Sequence, residues 1–187
     1  MDNNMSNNSL TDLHQMVWVA LMAATVGAGA FLIVPIGPVP VSMQPFFVFL
    51  AGFVLGPKRG AMAVALYLLA GTIGLPVFAG GKSGLGHLFG PTGGYLFGFL
   101  VAAFVCGLAR SEERLITWSK GLACGSAALL ILYAVGSTWL KFTLSFDWYK
   151  AWMVGVVPFI PWDGLKVGIA LLCCRYLTKY NLLPGQR

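Results

Sequence analysis

The stretch Gly74-Leu75-Pro76-Val77-Phe78-Ala79-Gly80-Gly81-Lys82-Ser83-Gly84-Leu85-Gly86-His87-Leu88-Phe89-Gly90-Pro91-Thr92-Gly93-Gly94-Tyr95 interrupts two long uncharged apolar runs. Nearly every other residue in it is glycine, proline or another turn former. Glycine and proline are the strongest punctuators of regular structure, so neither flanking helix passes through it. Non-helical backbone at membrane depth survives only where protein buries it or where it lines a cavity. The stretch therefore reads as the wall or lid of a pocket. A plain connecting loop would also collect glycine and proline. Its length, and a second half that runs straight into a helix, favour the pocket.

Membrane depth is the relevant setting because of composition. The chain has 187 residues, 58% of them hydrophobic and 10% charged, with mean hydropathy +0.79. Soluble domains carry about 25% charged residues. The expected fold class is an all-α integral membrane protein. A hydrocarbon core needs about 20 apolar residues per helix, so this length accommodates six spans and leaves no room for a nucleotide-binding domain. The net charge of +6 fits basic cytoplasmic loops in such a protein and does not call for nucleic acid. Cys106, Cys124, Cys173 and Cys174 all lie in apolar runs without a Cys-x-x-Cys pair. They read as small buried residues, not disulfides or metal ligands.

Working outward, residues 1–12 form a polar, Asn- and Ser-rich tail without a basic region. The apolar run after it is expected to be a retained helix, not a signal peptide. Residues 13–180 are expected to make up the six-helix membrane domain, and 181–187 a short cytoplasmic tail. Helix 1 is expected from Leu13 to Val34. Ala20, Ala24 and Ala28 are spaced by four along it. A smooth stripe of this kind admits close approach of another helix, from within the bundle or from a partner. Pro35-Ile36-Gly37-Pro38-Val39-Pro40 cannot be helical. Helix 2 is expected from Met43 to Gly56, with Gln44 at its start as a cap or a ligand contact. Helix 3 follows Pro57-Lys58-Arg59-Gly60 and ends at Gly74. Helix 4 opens at Pro91, where proline suits a first turn, and ends near Ala109. The charge cluster from Arg110 to Arg114 reads as a solvated loop. Helix 5 covers Lys120 to Leu140. An interfacial segment with Trp148, Tyr149 and Trp152 precedes Pro158, and helix 6 runs from Pro161 to Tyr180.

Orientation follows from the basic residues. With the N-terminus inside, the inner segments hold eight (Lys58, Arg59, Arg110, Arg114, Lys120, Arg175, Lys179, Arg187) and the outer segments three (Lys82, Lys141, Lys150). The excess puts both termini in the cytoplasm. The proline loop, the glycine-rich stretch and the start of helix 6 then share the outer side.

Asp163 and Lys166 are the sharpest chemical signal. They are the charged residues inside the apolar part of helix 6, and at i and i+3 they share a face. Intramembrane ionisable residues are expensive and functional by default. A carboxylate accepts hydrogen bonds and an ammonium donates them. Together they suit a neutral ligand group such as a urea or amide. The alternative is an ion pair that only holds the helix in place. Gly81-Lys82-Ser83 has the look of a phosphate loop, but Pro76 stands where that motif needs glycine, so nucleotide binding there is rejected. Lys82 is either a solvated loop lysine or an attractor for an anionic ligand. His14 and His87 are the two histidines. With a single intramembrane carboxylate and no metal-ligand cluster, an enzyme is not expected, nor is a cofactor.

The runs Leu66-Tyr67-Leu68-Leu69-Ala70-Gly71-x-x-Gly74-Leu75-Pro76-Val77-Phe78-Ala79-Gly80-Gly81 and Leu88-Phe89-Gly90-Pro91-Thr92-Gly93-Gly94-Tyr95-Leu96-x-Gly98-Phe99 closely resemble the BioY family. Pro161-x-Asp163-x-x-Lys166 resembles the start of that family's last helix, and Pro35–Pro40 with Gln44 its first outer loop. The family is the biotin-specific, substrate-binding S component of energy-coupling-factor (ECF) vitamin transporters. The resemblance implies six membrane helices in a prokaryotic plasma membrane, with a biotin pocket near the outer face. The first and third loops would close over it as a lid. It implies that Asp163 and Lys166 contact the ureido ring. Gln44, Val77, Phe78, Gly80, Gly81, Lys82 and Tyr95 complete the expected substrate-binding set. Relatives vary at Lys82. Ala20 and Ala24 look like the motif that docks S components on the transmembrane coupling subunit of the ECF module, whose two ATPase subunits are separate chains. A stand-alone, ion-coupled biotin carrier with Asp163 taking up a proton is the rival expectation, and a passive channel is a third.

Overall fold

The computed structural model describes residues 2–35, 38–110 and 115–183. Ile36, Gly37, residues 111–114 of the charge cluster and most of the C-terminal tail lie outside the described residues. Helix α1 covers Asp2–Gly29, α2 Gln44–Leu55, α3 Pro57–Thr72, α4 Leu85–Leu88, α5 Gly93–Gly107, α6 Trp118–Leu144, α7 Trp148–Gly155 and α8 Ile160–Lys179. The all-α expectation needs one correction. Strand β1 (Ile33–Val34) pairs antiparallel with β2 (Val41–Ser42), Ile33 opposite Ser42. The prolines between them exclude a helix but leave the flanking Ile, Val and Ser free to pair.

The helix ranges follow the apolar runs closely, with boundaries set by Gly and Pro. Gly56 sits at φ 80° between α2 and α3, and Pro57 opens α3. Pro158 separates α7 from α8, Pro161 sits in the first turn of α8, and the two helices meet at a bend of 48°. The N-terminus departs most from expectation. Helix α1 begins at Asp2, inside the segment expected to be a tail. Asn and Ser are tolerated in a helix at modest cost, and the run contains no glycine or proline to stop it.

Six helices of 12 or more residues, α1, α2, α3, α5, α6 and α8, occupy the ranges expected for spans. Their lengths and compositions are uneven. Among the described residues, α6 alone is both long and apolar enough to cross a bilayer by itself. Helices α7 and α8 meet that test together, and α2 and α5 are apolar but shorter.

Helix α2 is the hub. It touches α1, α3, α5 and α8, and Val48, Phe49, Ala51, Phe53 and Val54 are completely buried. Helix α5 packs chiefly along α6, and α8 closes the bundle against α2 and α6. Large apolar side chains also cover the outside, including Leu69 on α3 and Ile73 just past its end, Phe97 and Phe104 on α5, Leu130 on α6, and Leu165 and Leu172 on α8. Helices that are apolar both inward and outward do not suit an aqueous surface. All four cysteines are free.

Candidate functional site

Helix α8 supplies the centre of the site in its first turns. Asp163 stands in the first turn, where a helix N-terminus favours negative charge, and its backbone N–H donates to the Phe159 carbonyl at 2.8 Å. The i, i+3 spacing brings the Lys166 Nζ within 2.7 Å of Asp163 Oδ1. Both side chains are buried, with relative exposures of 2% for Asp163 and 7% for Lys166. Two other elements brace the pair. From α6, the Tyr133 hydroxyl donates to Asp163 Oδ2 at 2.9 Å. From the hairpin, the Ser42 carbonyl accepts from Lys166 Nζ at 2.7 Å.

A second polar chain leads away from the hairpin. The Ser42 hydroxyl donates to Gln44 Oε1 at 3.3 Å, and Gln44 Nε2 donates to the Tyr67 hydroxyl of α3 at 2.5 Å. Buried polar groups of this kind are tolerable because each has a partner.

All of these groups except Tyr67 line one cleft. Its polar lining is Ser42, Gln44, His87, Thr92, Tyr95, Tyr133, Asp163 and Lys166. Its apolar lining includes Val39, Pro40, Pro45, Ala79, Leu96, Phe99, Leu132 and Phe159. An ammonium has three donors and a carboxylate about four acceptor positions. Lys166 commits two donors and Asp163 two acceptors within the protein. One donor and two acceptor positions therefore remain for a ligand. That inventory suits a carbonyl flanked by N–H groups, as in a cyclic urea or amide. Among the described residues, no three His, Cys, Asp or Glu side chains come together to hold a metal ion.

The glycine-rich stretch borders this cleft with fewer residues than expected. Phe78 N–H donates to the Lys82 carbonyl at 2.9 Å and Gly81 N–H to the Phe78 carbonyl at 3.0 Å. The result is a tight turn with Gly80 and Gly81 both at φ 73°, a conformation that favours glycine. These two glycines shape the turn and do not line the cleft. Ala79 does. Gly80 N–H also donates to the Ala30 carbonyl at 3.2 Å, tying the turn to the end of α1. Phe78 is completely buried. Its ring occupies the space over Gly71 where a side chain would otherwise sit, edge-on to Tyr67 and stacked on His87. Val77 lies over Gly27 of α1. Lys82 is exposed.

Of the expected substrate-binding residues, the structure thus brings together Asp163, Lys166, Gln44 and Tyr95 on one cleft. Val77, Phe78, Gly80, Gly81 and Lys82 are not among its lining residues. Tyr95 also donates its hydroxyl to the Gly155 carbonyl at 2.7 Å, which ties α5 to the end of α7. Ala20 and Ala24 are both exposed on α1, far along the sequence from the cleft residues.

The sequence reading missed Tyr133, Ser42 and His87. Tyr133 lies in an apolar run and looks like core. Its one signal is a hydroxyl that must find a partner when buried. Ser42 contributes a backbone carbonyl, which no residue type announces. His87 lines the cleft with Nε2 3.5 Å from the Thr92 hydroxyl. Burial, and then the nearby Lys82 ammonium, hold its imidazole below the ordinary value, so it is neutral at pH 7.

Comparison with known proteins converges on one family. The BioY family model matches residues 2–181. The biotin transporter BioY of Thermotoga maritima is 46% identical over 170 residues, covering 91% of this chain and 99% of that protein. A probable biotin transporter BioY of Pyrococcus horikoshii is 43% identical, covering 85% of this chain and 93% of its own length. Among solved structures, the S-component for biotin from an ECF-type ABC transporter superposes with a TM-score of 0.81 at 29% identity. That match covers 96% of this chain and 95% of the other. On sequence and fold together, the chain belongs to the BioY family.

Proposed function

We propose that this chain is a membrane-embedded biotin-binding subunit that captures biotin at the outer face and hands it inward through an ATP-driven ECF complex. The observation that carries the reading is the buried Asp163–Lys166 pair at 2.7 Å, opening on a cleft with donors and acceptors to spare. Biotin's ureido group carries the N–H and C=O functions that this inventory suits. Its apolar bicyclic ring would lie among Tyr95, Leu96, Phe99 and Leu132. The names of the relatives support biotin as the ligand.

The six longer helices are proposed to be the membrane spans, with residues 13–180 in the plasma membrane of a prokaryote and both termini in the cytoplasm. Their outward apolar cover supports this. The short helices α2 and α3, joined at Gly56–Pro57, would cross a thinned or locally deformed bilayer. The β1–β2 hairpin and the turn at Phe78–Lys82 then form the lid on the outer side. The exposed stripe of Ala20, Ala24 and Ala28 is the proposed docking face for the transmembrane coupling subunit, since small residues admit close helix approach. Two ATPase subunits complete the complex.

The ion-coupled alternative requires Asp163 to take up a proton. In the structure that carboxylate is instead paired with Lys166 and accepts from Tyr133. Reconstitution of the chain with an ECF coupling subunit and its ATPases tests the choice. Biotin uptake should need ATP and survive collapse of the membrane potential. Uptake that continues without ATP and stops with the potential would support the carrier.

A further inference from the structure

We propose that Tyr133 is a positioning residue that fixes the plane of the Asp163 carboxylate for recognition of ligand N–H groups. The inference rests on the reading of the cleft as a biotin site. A carboxylate turns about its terminal torsion in a broad, roughly two-fold well. Lys166 holds Oδ1 at 2.7 Å. That single hydrogen bond still tolerates a range of this torsion, because the flexible Lys166 stem can follow Oδ1 as the carboxylate turns. The Tyr133 hydroxyl, 2.9 Å from Oδ2, supplies the second anchor. Two anchors on two oxygens define a plane, and the unoccupied lone pairs then point in fixed directions.

The anchors come from independent elements. Lys166 is on α8 with Asp163, and the Ser42 carbonyl steadies it from the hairpin. Tyr133 is on α6, three turns away from the end of that helix, and is itself 7% exposed. Its ring lines the cleft beside Leu132 and Phe159. A hydroxyl has a single proton to donate. Here it is committed to Asp163, so the carboxylate's orientation is settled before a ligand arrives. Preorganisation of this kind raises affinity by removing an ordering cost from the binding step. Without the hydroxyl, Oδ2 is a buried acceptor without that donor, and a ligand must orient the carboxylate as it binds.

Tyr133→Phe keeps the ring and deletes the O–H. The test is a double-mutant cycle read by calorimetry, with competition against labelled biotin for the weak binders. It compares wild type, Tyr133→Phe, Asp163→Asn and the double variant, each as the full-length purified chain. Tyr133→Phe should weaken biotin binding about tenfold without a large change in unfolding temperature. In the Asp163→Asn background the same change should cost less than about threefold, because the group it positions has lost its charge. Affinity within about twofold of wild type for Tyr133→Phe overturns the inference. So does a full tenfold loss that persists in the Asp163→Asn background, which would mean that Tyr133 acts on the ligand or on packing directly. Failure of the wild-type chain to bind biotin removes the underlying reading and this inference with it. Normal wild-type binding with an unaffected Tyr133→Phe variant removes the inference alone.

Discussion

Asp163→Asn keeps the shape of the side chain and removes its charge. In the structure Asp163 is 2% exposed and accepts from Lys166 at 2.7 Å and from Tyr133 at 2.9 Å. Asp163 lines the cleft, and its two remaining acceptor positions are the ones proposed to meet ligand N–H groups. Hydrogen bonds to a charged group contribute about 1.5–3 kcal/mol, against about 0.5–1.5 kcal/mol for neutral pairs. Loss of charge therefore removes about 1 kcal/mol or more from each ligand bond. The asparagine also presents N–H on one side, so a ligand N–H placed there loses its acceptor. The combined loss is about 2–4 kcal/mol, which corresponds to roughly 30- to 1,000-fold in affinity. The variant should melt lower, because Lys166 loses its counter-charge, but it should still fold, because the asparagine carbonyl can accept from Lys166 and the Ser42 carbonyl still holds that ammonium. Calorimetry with biotin on purified wild type and variant, beside thermal unfolding of both, reads the two effects separately. A variant that binds biotin within about threefold of wild type would refute the placement of Asp163 in the ligand contact.

Ala20→Trp and Ala24→Trp should leave biotin binding by the isolated chain intact and abolish ATP-driven uptake by the assembled complex, since a large ring prevents close helix approach. Uptake that survives both changes would make the stripe a lipid-facing surface. Hydrogen exchange at Gly80 to Gly86 and at residues 38–42 should slow when biotin is added, while α6 changes little. Equal protection with and without biotin would mean that the hairpin and the turn are not a lid. Gly136→Ala places a methyl group against the Tyr95 ring, which lines the cleft. It should destabilise the protein by about 1–3 kcal/mol and weaken biotin binding. Unchanged affinity and melting would show that Tyr95 can retreat without consequence.

The course of the helices was legible because apolar runs bounded by glycine and proline leave few alternatives. Pro57, Pro158 and Pro161 each mark a break in the structure. Asp163 and Lys166 were legible for a similar reason, as charge stands out in an apolar run. What remained hidden depends on contacts between distant segments. Phe78 looked like a pocket wall because it lies in the glycine-rich stretch, yet its ring fills the space over Gly71 on the preceding helix. Local sequence carries no trace of that insertion. Gly80 and Gly81 are expected as ligand contacts, and their positive φ, which gives them a role in the turn as well, cannot be read from sequence. Tyr133 escaped because a tyrosine in an apolar helix resembles core until its hydroxyl partner is known. The strand pairing of Ile33 with Ser42 was masked by the prolines between them.

Equilibrium binding of radiolabelled biotin to the purified chain, without ATP or partner subunits, tests the central claim most directly. Wild type should saturate at one biotin per chain. Lys166→Met, which removes the ammonium that holds both Asp163 Oδ1 and the Ser42 carbonyl and leaves the carboxylate without its counter-charge, should lose that binding under conditions where thermal unfolding shows the empty variant to be folded. Absence of saturable binding by wild type, or undiminished binding by Lys166→Met, would contradict the assignment of this cleft as the biotin site.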